Sequence, residues 1–229
     1  MNDFEKVKSM FQLQQKLNDE TNGIGWEDGY TKQGRLISWR RCIYMELAEL
    51  VDSYNWKHWK DINIEPDWEN AKLEVIDIWH FVMSLGLEEY KYNKKELSDI
   101  VKCVIESQYF NDFVNTPAPV PEEDIYITIT TIEHFIKNCL QGESFNKLID
   151  DFFEVALLCG VNIDVLYKYY IGKNILNMFR QDHGYKDGKY IKVWDGKEDN
   201  EVMMEILATK TLDADGLYSE LKEIYATLS

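Results

Sequence analysis

Cysteine and proline are scarce in this chain of 229 residues, which contains only four of each. The cysteines are scattered, with no CxxC pair and no compact framework, so the sequence excludes a disulfide scaffold and argues against a zinc site. They are Cys42, Cys103, Cys139 and Cys159. We expect them to be reduced thiols, most of them buried, in a cytoplasmic protein.

Long apolar runs and excess positive charge are also missing. No stretch approaches the roughly 18–20 apolar residues that a bilayer-spanning helix needs, and the start MNDFEKVKSM lacks the apolar core of a signal peptide, so we expect no membrane partner. The 25 Lys and Arg residues face 41 Asp and Glu residues, a net charge of −16. A surface this acidic repels phosphate backbones, so we expect no nucleic-acid partner. A small phosphate ligand is still compatible with this acidic chain if metal ions bridge the negative charges of the protein and the ligand.

Apolar residues recur at helical spacing along most of the chain, and this pattern predicts an all-α protein. Beyond the helices that contain Leu13, Leu47 and Ile76, further helices are predicted near 95–113, 123–140, 144–159, 162–180 and 200–227. The run IYITITTI at 125–132 is rich in β-branched residues and suits a strand, but the acidic residues before it suit a helix start. We favour a helix there.

A single domain over 1–229 is the predicted organisation. Three of the four prolines fall in NTPAPVPEED (115–124), the clearest loop in the sequence. We therefore expect a helical-bundle core from about 1–90 and 150–200, with a helical cap from about 91–150.

Two acidic motifs place like charges three residues apart: Glu46 with Glu49, and Glu74 with Asp77. Residues at this spacing share one helix face, where like charges repel. The simplest interpretation is a solvated acidic stripe. However, both motifs have mostly apolar neighbours, which predicts helices buried on nearly all sides, and burying clustered carboxylates is costly. A divalent cation such as Mg²⁺, which prefers oxygen ligands, resolves this conflict.

A di-iron carboxylate site is the main competitor for the acidic motifs. Such sites use Glu-x-x-His from two helices, yet none of the four histidines has Glu three residues before it. Only the pair of Asp77 and His80 comes near this pattern. Oxygen ligation therefore favours Mg²⁺ or Mn²⁺ over iron.

A basic and polar stripe follows late in the chain. Lys173, Asn177 and Arg180 share one helix face, and Tyr185 and Lys192 come shortly after. Taken alone, this segment equally suits a solvated helix face. Combined with a carboxylate–metal site, it is typical of a polyphosphate clamp, in which cationic side chains balance phosphate charge opposite the metal.

Five segments together closely resemble the dimeric dUTPases. They are LQQKLNDETNG (13–23), SWRRCIYMELAELVDS (38–53), WKHWK (56–60), EVIDIWHF (74–81) and GKNILNMFRQDHGYKDGKYIKVWDGKEDN (172–200). These enzymes belong to the all-α nucleotide pyrophosphohydrolases, alongside the MazG-like enzymes. The acidic motifs mark only that superfamily, whereas the last segment is far more specific to the dUTPase branch.

The resemblance implies a homodimer that hydrolyses dUTP to dUMP and pyrophosphate, and dUDP to dUMP and phosphate, with Mg²⁺ or, as a substitute, Mn²⁺. Glu49 would orient or deprotonate the attacking water. The other roles carried over by motif are metal binding by Glu46, Glu49, Glu74 and Asp77; phosphate binding by Lys173, Asn177, Arg180, Tyr185 and Lys192; and nucleoside binding by Gln14, Asn18, Trp59, His80, Phe81 and Asn200.

Two alternatives stay open from the sequence. A MazG-like pyrophosphohydrolase of broader base specificity would share the metal site and differ in base selectivity. The second alternative is a non-catalytic helical binding protein. Its acidic clusters would have a structural role, and it would hydrolyse no nucleotide.

Overall fold

The computed structural model describes residues 1–60, 64–117 and 119–228. Within them the protein is built from α-helices and one small hairpin. The helices are α1 (Asp3–Asn22), α2 (Trp39–Asp52), α3 (Trp68–Tyr92), α4 (Leu97–Ile105), α5 (Phe110–Asn115), α6 (Ile125–Gln141), α7 (Phe145–Leu158), α8 (Ile163–Asp182), α9 (Asp199–Thr209) and α10 (Ala214–Tyr225). The prediction of an all-α protein is confirmed.

Polar side chains define where the first three helices begin. Asn2, Ser38 and Asp67 each precede a helix and accept a hydrogen bond from the backbone amide three residues further on. Such caps satisfy backbone donors that have no partner inside the helix. The helix boundaries around the acidic motifs are therefore set by local sequence.

Two predicted helices are each interrupted. The segment 95–113 forms two helices, α4 and α5. Just after the end of α4, the Ser107 hydroxyl group donates a hydrogen bond to the Val104 carbonyl oxygen at 2.7 Å, and such local bonds compete with the helical pattern. The segment 200–227 forms α9 and α10, and Asp213 caps the start of α10. The ambiguous run 125–132 is helical within α6, whose first turn is capped by Asp124. The predicted loop at 115–124 separates α5 from α6, and its Ala118 lies outside the described residues.

The strands β1 (Val193–Trp194) and β2 (Lys197–Glu198) form an antiparallel hairpin that the sequence analysis missed. The intervening Asp195 and Gly196 both have positive φ, 49° and 88°. An Asp-Gly pair strongly favours this two-residue turn, so the hairpin could have been predicted from the sequence.

The chain divides into two compact units, Met1–Leu166 and Tyr167–Ser229. In the first unit α2 packs along α3, and α6 packs against both α2 and α7. Rings of Trp79, Phe152 and Phe153 meet in its core, with Trp79 stacked on Phe152 at 4.7 Å between centroids. The predicted division into core and cap stays a prediction, although α6, which lies in the predicted cap, packs against α2.

The expectation that both acidic helices are buried on nearly all sides is right for α3 and wrong for α2. Most of α3 between Ala71 and Tyr90 is buried. In contrast, α2 has an exposed side that includes Met45, Ala48 and Glu49. Burial of α2 comes only from the residues that face its neighbours, and apolar composition alone does not reveal which faces have neighbours.

The second unit is organised around Phe179, whose ring contacts the rings of Tyr190, Trp194, Tyr218 and Tyr225. A Cβ atom at Gly172 would lie 2.5 Å from Leu207 Cδ1, so glycine allows α8 and α9 to approach closely. Among the helices that the structure describes, none is both long and apolar enough to cross a membrane.

Candidate functional site

Three carboxylates converge between α2 and α3. Glu46 comes from α2, Glu74 and Asp77 come from α3, and one oxygen atom of each lies within 4.8 Å of the others. We call these residues the acidic triad. All three are partly buried. The donor set consists of carboxylate oxygens, which fits a hard divalent cation such as Mg²⁺ or Mn²⁺. The triad could therefore bind a divalent metal ion.

An asparagine holds one member of the triad in place. Asn70 Nδ2 donates hydrogen bonds to Glu74 Oε1 at 3.2 Å and to Ser53 Oγ at 2.9 Å. Asn70 lies one turn before Glu74 on α3, and Ser53 follows the last residue of α2. Sequence reasoning missed both residues, although the spacing of four residues between Asn70 and Glu74 was visible. Asn70 thus orients a triad carboxylate and links it to the end of α2.

Glu49 lies outside the triad. It occupies the turn of α2 that follows Glu46, on the exposed side of the helix. One turn further, Asp52 accepts hydrogen bonds from Lys57 Nζ at 2.7 Å and from Trp56 Nε1 at 3.0 Å. The hydrogen bond from Lys57 is the main reason that the pKa of Asp52 lies below its usual value.

Three of the predicted nucleoside-binding residues meet in one hydrogen-bond network. Gln14 and Asn18 of α1 and His80 of α3 are all buried, and so is Ser84, which the sequence analysis did not single out. His80 Nδ1 lies 2.7 Å from Gln14 Oε1. The amide nitrogen atoms of Gln14 and Asn18 lie 3.0 and 2.9 Å from Ser84 Oγ. We call these four residues the amide network.

Two other predicted nucleoside-binding residues, Trp59 and Phe81, are not members of the amide network. Trp59 is 62% exposed, and its ring meets the rings of Trp56 and His58 edge to face. Phe81 is half-buried and stacks on Trp39 with 6.1 Å between the ring centroids. Trp59 therefore offers an open aromatic face to solvent, whereas Phe81 is held by its neighbour.

In the second unit, Arg180 is the centre of a buried charge pair. Its Nε and Nη2 atoms each lie 2.7 Å from a different oxygen of Asp199, in a bidentate arrangement. Asp199 has no exposed surface and also accepts a hydrogen bond from the Tyr190 hydroxyl group at 2.8 Å. Burial and this contact with Asp199 raise the pKa of Tyr190.

Amide groups surround the same arginine. Arg180 Nη1 donates to Asn177 Oδ1 at 3.2 Å, and Asn200 Oδ1 accepts from both Arg180 Nη2 and Lys173 Nζ, at 3.1 and 3.0 Å. The structure therefore brings together three residues predicted to bind phosphate and one predicted to bind the nucleoside. Neither Asp199 nor Tyr190 was predicted from the sequence. The signal for Asp199 was its position directly before Asn200, which was predicted to bind the nucleoside.

The last two predicted phosphate-binding residues are at the surface of this unit. The Tyr185 ring is 46% exposed and lies 5.8 Å from the Arg180 guanidinium group. Lys192 is exposed, and its Nζ atom lies 3.0 Å from a carboxylate oxygen of Glu198. Both side chains can reach solvent, in contrast to Arg180.

The fold and the site together define an all-α protein with a carboxylate cluster that could bind a divalent metal ion. The family described as dUTPase matches residues 6–185, most of the chain, and the protein belongs to this family. It is therefore an enzyme that hydrolyses dUTP to dUMP and pyrophosphate. None of the curated proteins matches the chain.

Proposed function

We propose that the dUTP diphosphatase activity depends on Mg²⁺, or on Mn²⁺ in its place, bound by the acidic triad and by Glu49. The observation that carries this proposal is the convergence of Glu46, Glu74 and Asp77, whose oxygen atoms lie within 4.8 Å of one another. Like charges held this close repel one another, and a cation offsets that repulsion. The orientation of Glu74 by Asn70 supports the same role, because metal ligands are commonly positioned by a neighbouring hydrogen bond.

Glu49 is the proposed general base. A divalent cation at the triad would neutralise phosphate charge and lower the pKa of water that it coordinates. Glu49 lies one turn from Glu46 on the solvent-exposed side of α2, so its carboxylate can reach water. We assign to Glu49 the orientation of the attacking water and the acceptance of its proton.

The polar residues of the second unit are the proposed phosphate-binding groups. Lys173 and Arg180 supply positive charge, and both donate to the Asn200 side chain. Asn177 is held by Arg180, while Tyr185 and Lys192 present exposed polar ends. Positive charge in a chain of net charge −16 favours the approach of an anionic substrate at this place.

Six residues are proposed to bind the nucleoside. Buried amides read a base edge well, because they offer donors and acceptors in fixed positions, and Gln14 and Asn18 are such groups. Trp59 offers an exposed ring for stacking, and Phe81 or His80 is the proposed contact of the deoxyribose. Asn200 completes the proposed nucleoside-binding set.

A homodimer and the use of dUDP complete the proposal. Large apolar side chains such as Ile24, Leu36 and Met45 are exposed, at 95%, 66% and 49%, and a second copy of the chain would cover such surface. Light scattering coupled to gel filtration tests this directly. A mass of twice 27.1 kDa is expected, and a mass of 27.1 kDa would refute the dimer.

The decisive experiment measures phosphate and pyrophosphate release from dUTP, dUDP, dCTP, dTTP and UTP, with Mg²⁺ and with EDTA. We expect turnover only of dUTP and dUDP, and complete loss with EDTA. Turnover of dUTP that survives EDTA would overturn the metal assignment. Comparable turnover of several triphosphates would overturn the base selectivity and place the protein with the MazG-like enzymes.

A further inference from the structure

Ser84 occupies the centre of the amide network. It lies on α3, has no exposed surface, and its Oγ atom contacts three polar groups. Oγ lies 2.8 Å from the His80 carbonyl oxygen, 3.0 Å from Gln14 Nε2 and 2.9 Å from Asn18 Nδ2. A serine hydroxyl group has one proton to donate and two lone pairs to accept hydrogen bonds. These three contacts use that capacity completely.

The single proton of Ser84 determines how both amides are oriented. The His80 carbonyl oxygen can only accept, so the Ser84 proton points to it. Oγ must then accept from Gln14 and Asn18, and both side chains must turn their NH₂ groups towards Ser84. With a flipped amide, two oxygen atoms would face each other without a proton between them. One hydroxyl group therefore selects one of two nearly isosteric orientations at each amide.

The same constraint reaches His80 through Gln14. Once Nε2 of Gln14 faces Ser84, its Oε1 atom faces His80 Nδ1 at 2.7 Å and can only accept. The neutral His80 ring must then carry its proton on Nδ1. Asn18 Oδ1 also accepts from Gln14 Nε2 at 3.2 Å, which locks the two amides together.

We propose that Ser84 is a specificity-determining positioning residue, which makes the enzyme prefer uracil to cytosine by fixing the orientation of the Gln14 and Asn18 amides. Uracil presents an N3–H donor and an O4 acceptor, whereas cytosine presents the opposite pattern at both positions. A fixed amide matches only one of these patterns, but an amide that can flip matches either. This inference rests on the proposed assignment of Gln14 and Asn18 to nucleoside binding.

The first test compares kcat/KM for dUTP and dCTP in Ser84→Ala. We expect the preference for dUTP to fall roughly tenfold, mainly through better use of dCTP and a higher KM for dUTP, because one hydrogen bond no longer enforces the orientation. The matched control is Thr128→Val. Thr128 is also fully buried in the first unit, and among the described residues its hydroxyl group has no hydrogen-bond partner. The preference of the Thr128→Val variant for dUTP over dCTP should equal that of the unmodified enzyme.

Asn18→Ala separates failure of this inference from failure of the proposed function. If Asn18→Ala keeps the full preference for dUTP, the nucleoside assignment is wrong and the inference falls with it. If Asn18→Ala loses the preference while Ser84→Ala keeps it, only the role of Ser84 is overturned. Ser84→Cys, which is close in size and donates weakly, should show a smaller loss in the same direction if Ser84→Ala does not fold.

A spectroscopic measurement tests the network without turnover. A long-range ¹H–¹⁵N correlation spectrum of the His80 ring reports which nitrogen carries the proton. We expect the proton on Nδ1 in the unmodified enzyme and a mixture of tautomers in Ser84→Ala. A proton on Nε2 in the unmodified enzyme would contradict the deduced orientation of Gln14, and with it the inference.

Discussion

Carboxylates are arranged in opposite ways in the two units of this protein. In the first unit, the acidic triad gathers three like charges between two helices. In the second, Asp199 is fully buried, and a bidentate arginine and a tyrosine hydroxyl group bond to it. A buried pair of opposite charges satisfies itself and holds structure. Carboxylates of one sign gathered this closely repel one another, so the first arrangement suits binding of a metal ion, whereas the second holds the arginine in a fixed position.

The largest effect should come from neutralising the triad. We expect Glu74→Gln to lower dUTP turnover with Mg²⁺ by on the order of 10³-fold, because a ligand of the cation is lost. The free energy of unfolding without metal should stay the same or rise, since repulsion within the triad decreases. The control is Glu69→Gln, on the exposed side of the same helix, where the carboxylate pairs with Lys72 at 2.7 Å. Equal turnover in both variants would refute the metal role of Glu74.

Breaking the pair in the second unit should instead reduce stability. Asp199→Asn leaves a buried guanidinium group without its counter-charge, so the free energy of unfolding should fall by about 3 kcal/mol or more, measured by urea denaturation. Asp187→Asn is the control, because Asp187 is exposed and lies 3.9 Å from Lys189 Nζ; it should change stability by less than about 0.5 kcal/mol. A stable Asp199→Asn would show that the pair does not support this unit.

Adding Mg²⁺ without nucleotide should stabilise only a chain with an intact triad. At a concentration of a hundred times Kd, binding adds about 2.7 kcal/mol to the free energy of unfolding and raises Tm by about 5–10 °C. The Glu74→Gln variant should show no such shift, and Asp187→Asn should show the full shift. A shift that survives in Glu74→Gln would place the stabilising ion elsewhere.

The smallest expected effect concerns Glu88 on α3, which lies outside both carboxylate sites. Burial, helped by the negative charge of Glu89, raises its pKa from the ordinary value of 4.5 to about 7. The folded chain therefore binds more protons than the unfolded chain between these pH values, and the free energy of unfolding falls as pH rises from about 4.5 to 7.

Glu88→Gln should therefore stabilise the protein by about 1 kcal/mol at pH 8, a value reduced for solvent screening because the side chain is only half-buried, and should change little at pH 4. Urea denaturation at the two pH values provides the measurement. The exposed Glu133→Gln should change stability by less than about 0.5 kcal/mol at both values. Equal effects of Glu88→Gln at pH 4 and pH 8 would disprove the raised pKa.

The two carboxylate sites also differ in how well the sequence predicted them. The spacing singled out four carboxylates, because three residues along a helix return to the same face, and three of them, Glu46, Glu74 and Asp77, converge in the structure while Glu49 lies outside the triad. The partner of Arg180 was not found, because Asp199 lies 19 residues away beyond a hairpin and no local rule joins them. Ser84 was missed for the same reason. It is 66 residues from Asn18 and is an ordinary serine in an apolar helix until the two helices pack.

The amino-acid sequence by itself determined the helical class, the approximate bounds of α6, α7 and α8, and the spacing that places acidic residues on single helix faces, since periodicity and capping act within a few residues. The tertiary structure decided which face of α2 meets neighbours and which stays open. It also decided which amides meet Ser84 and which carboxylate pairs with Arg180. These outcomes depend on contacts between distant segments, where a hydroxyl proton or a counter-charge is shared only after the helices have packed.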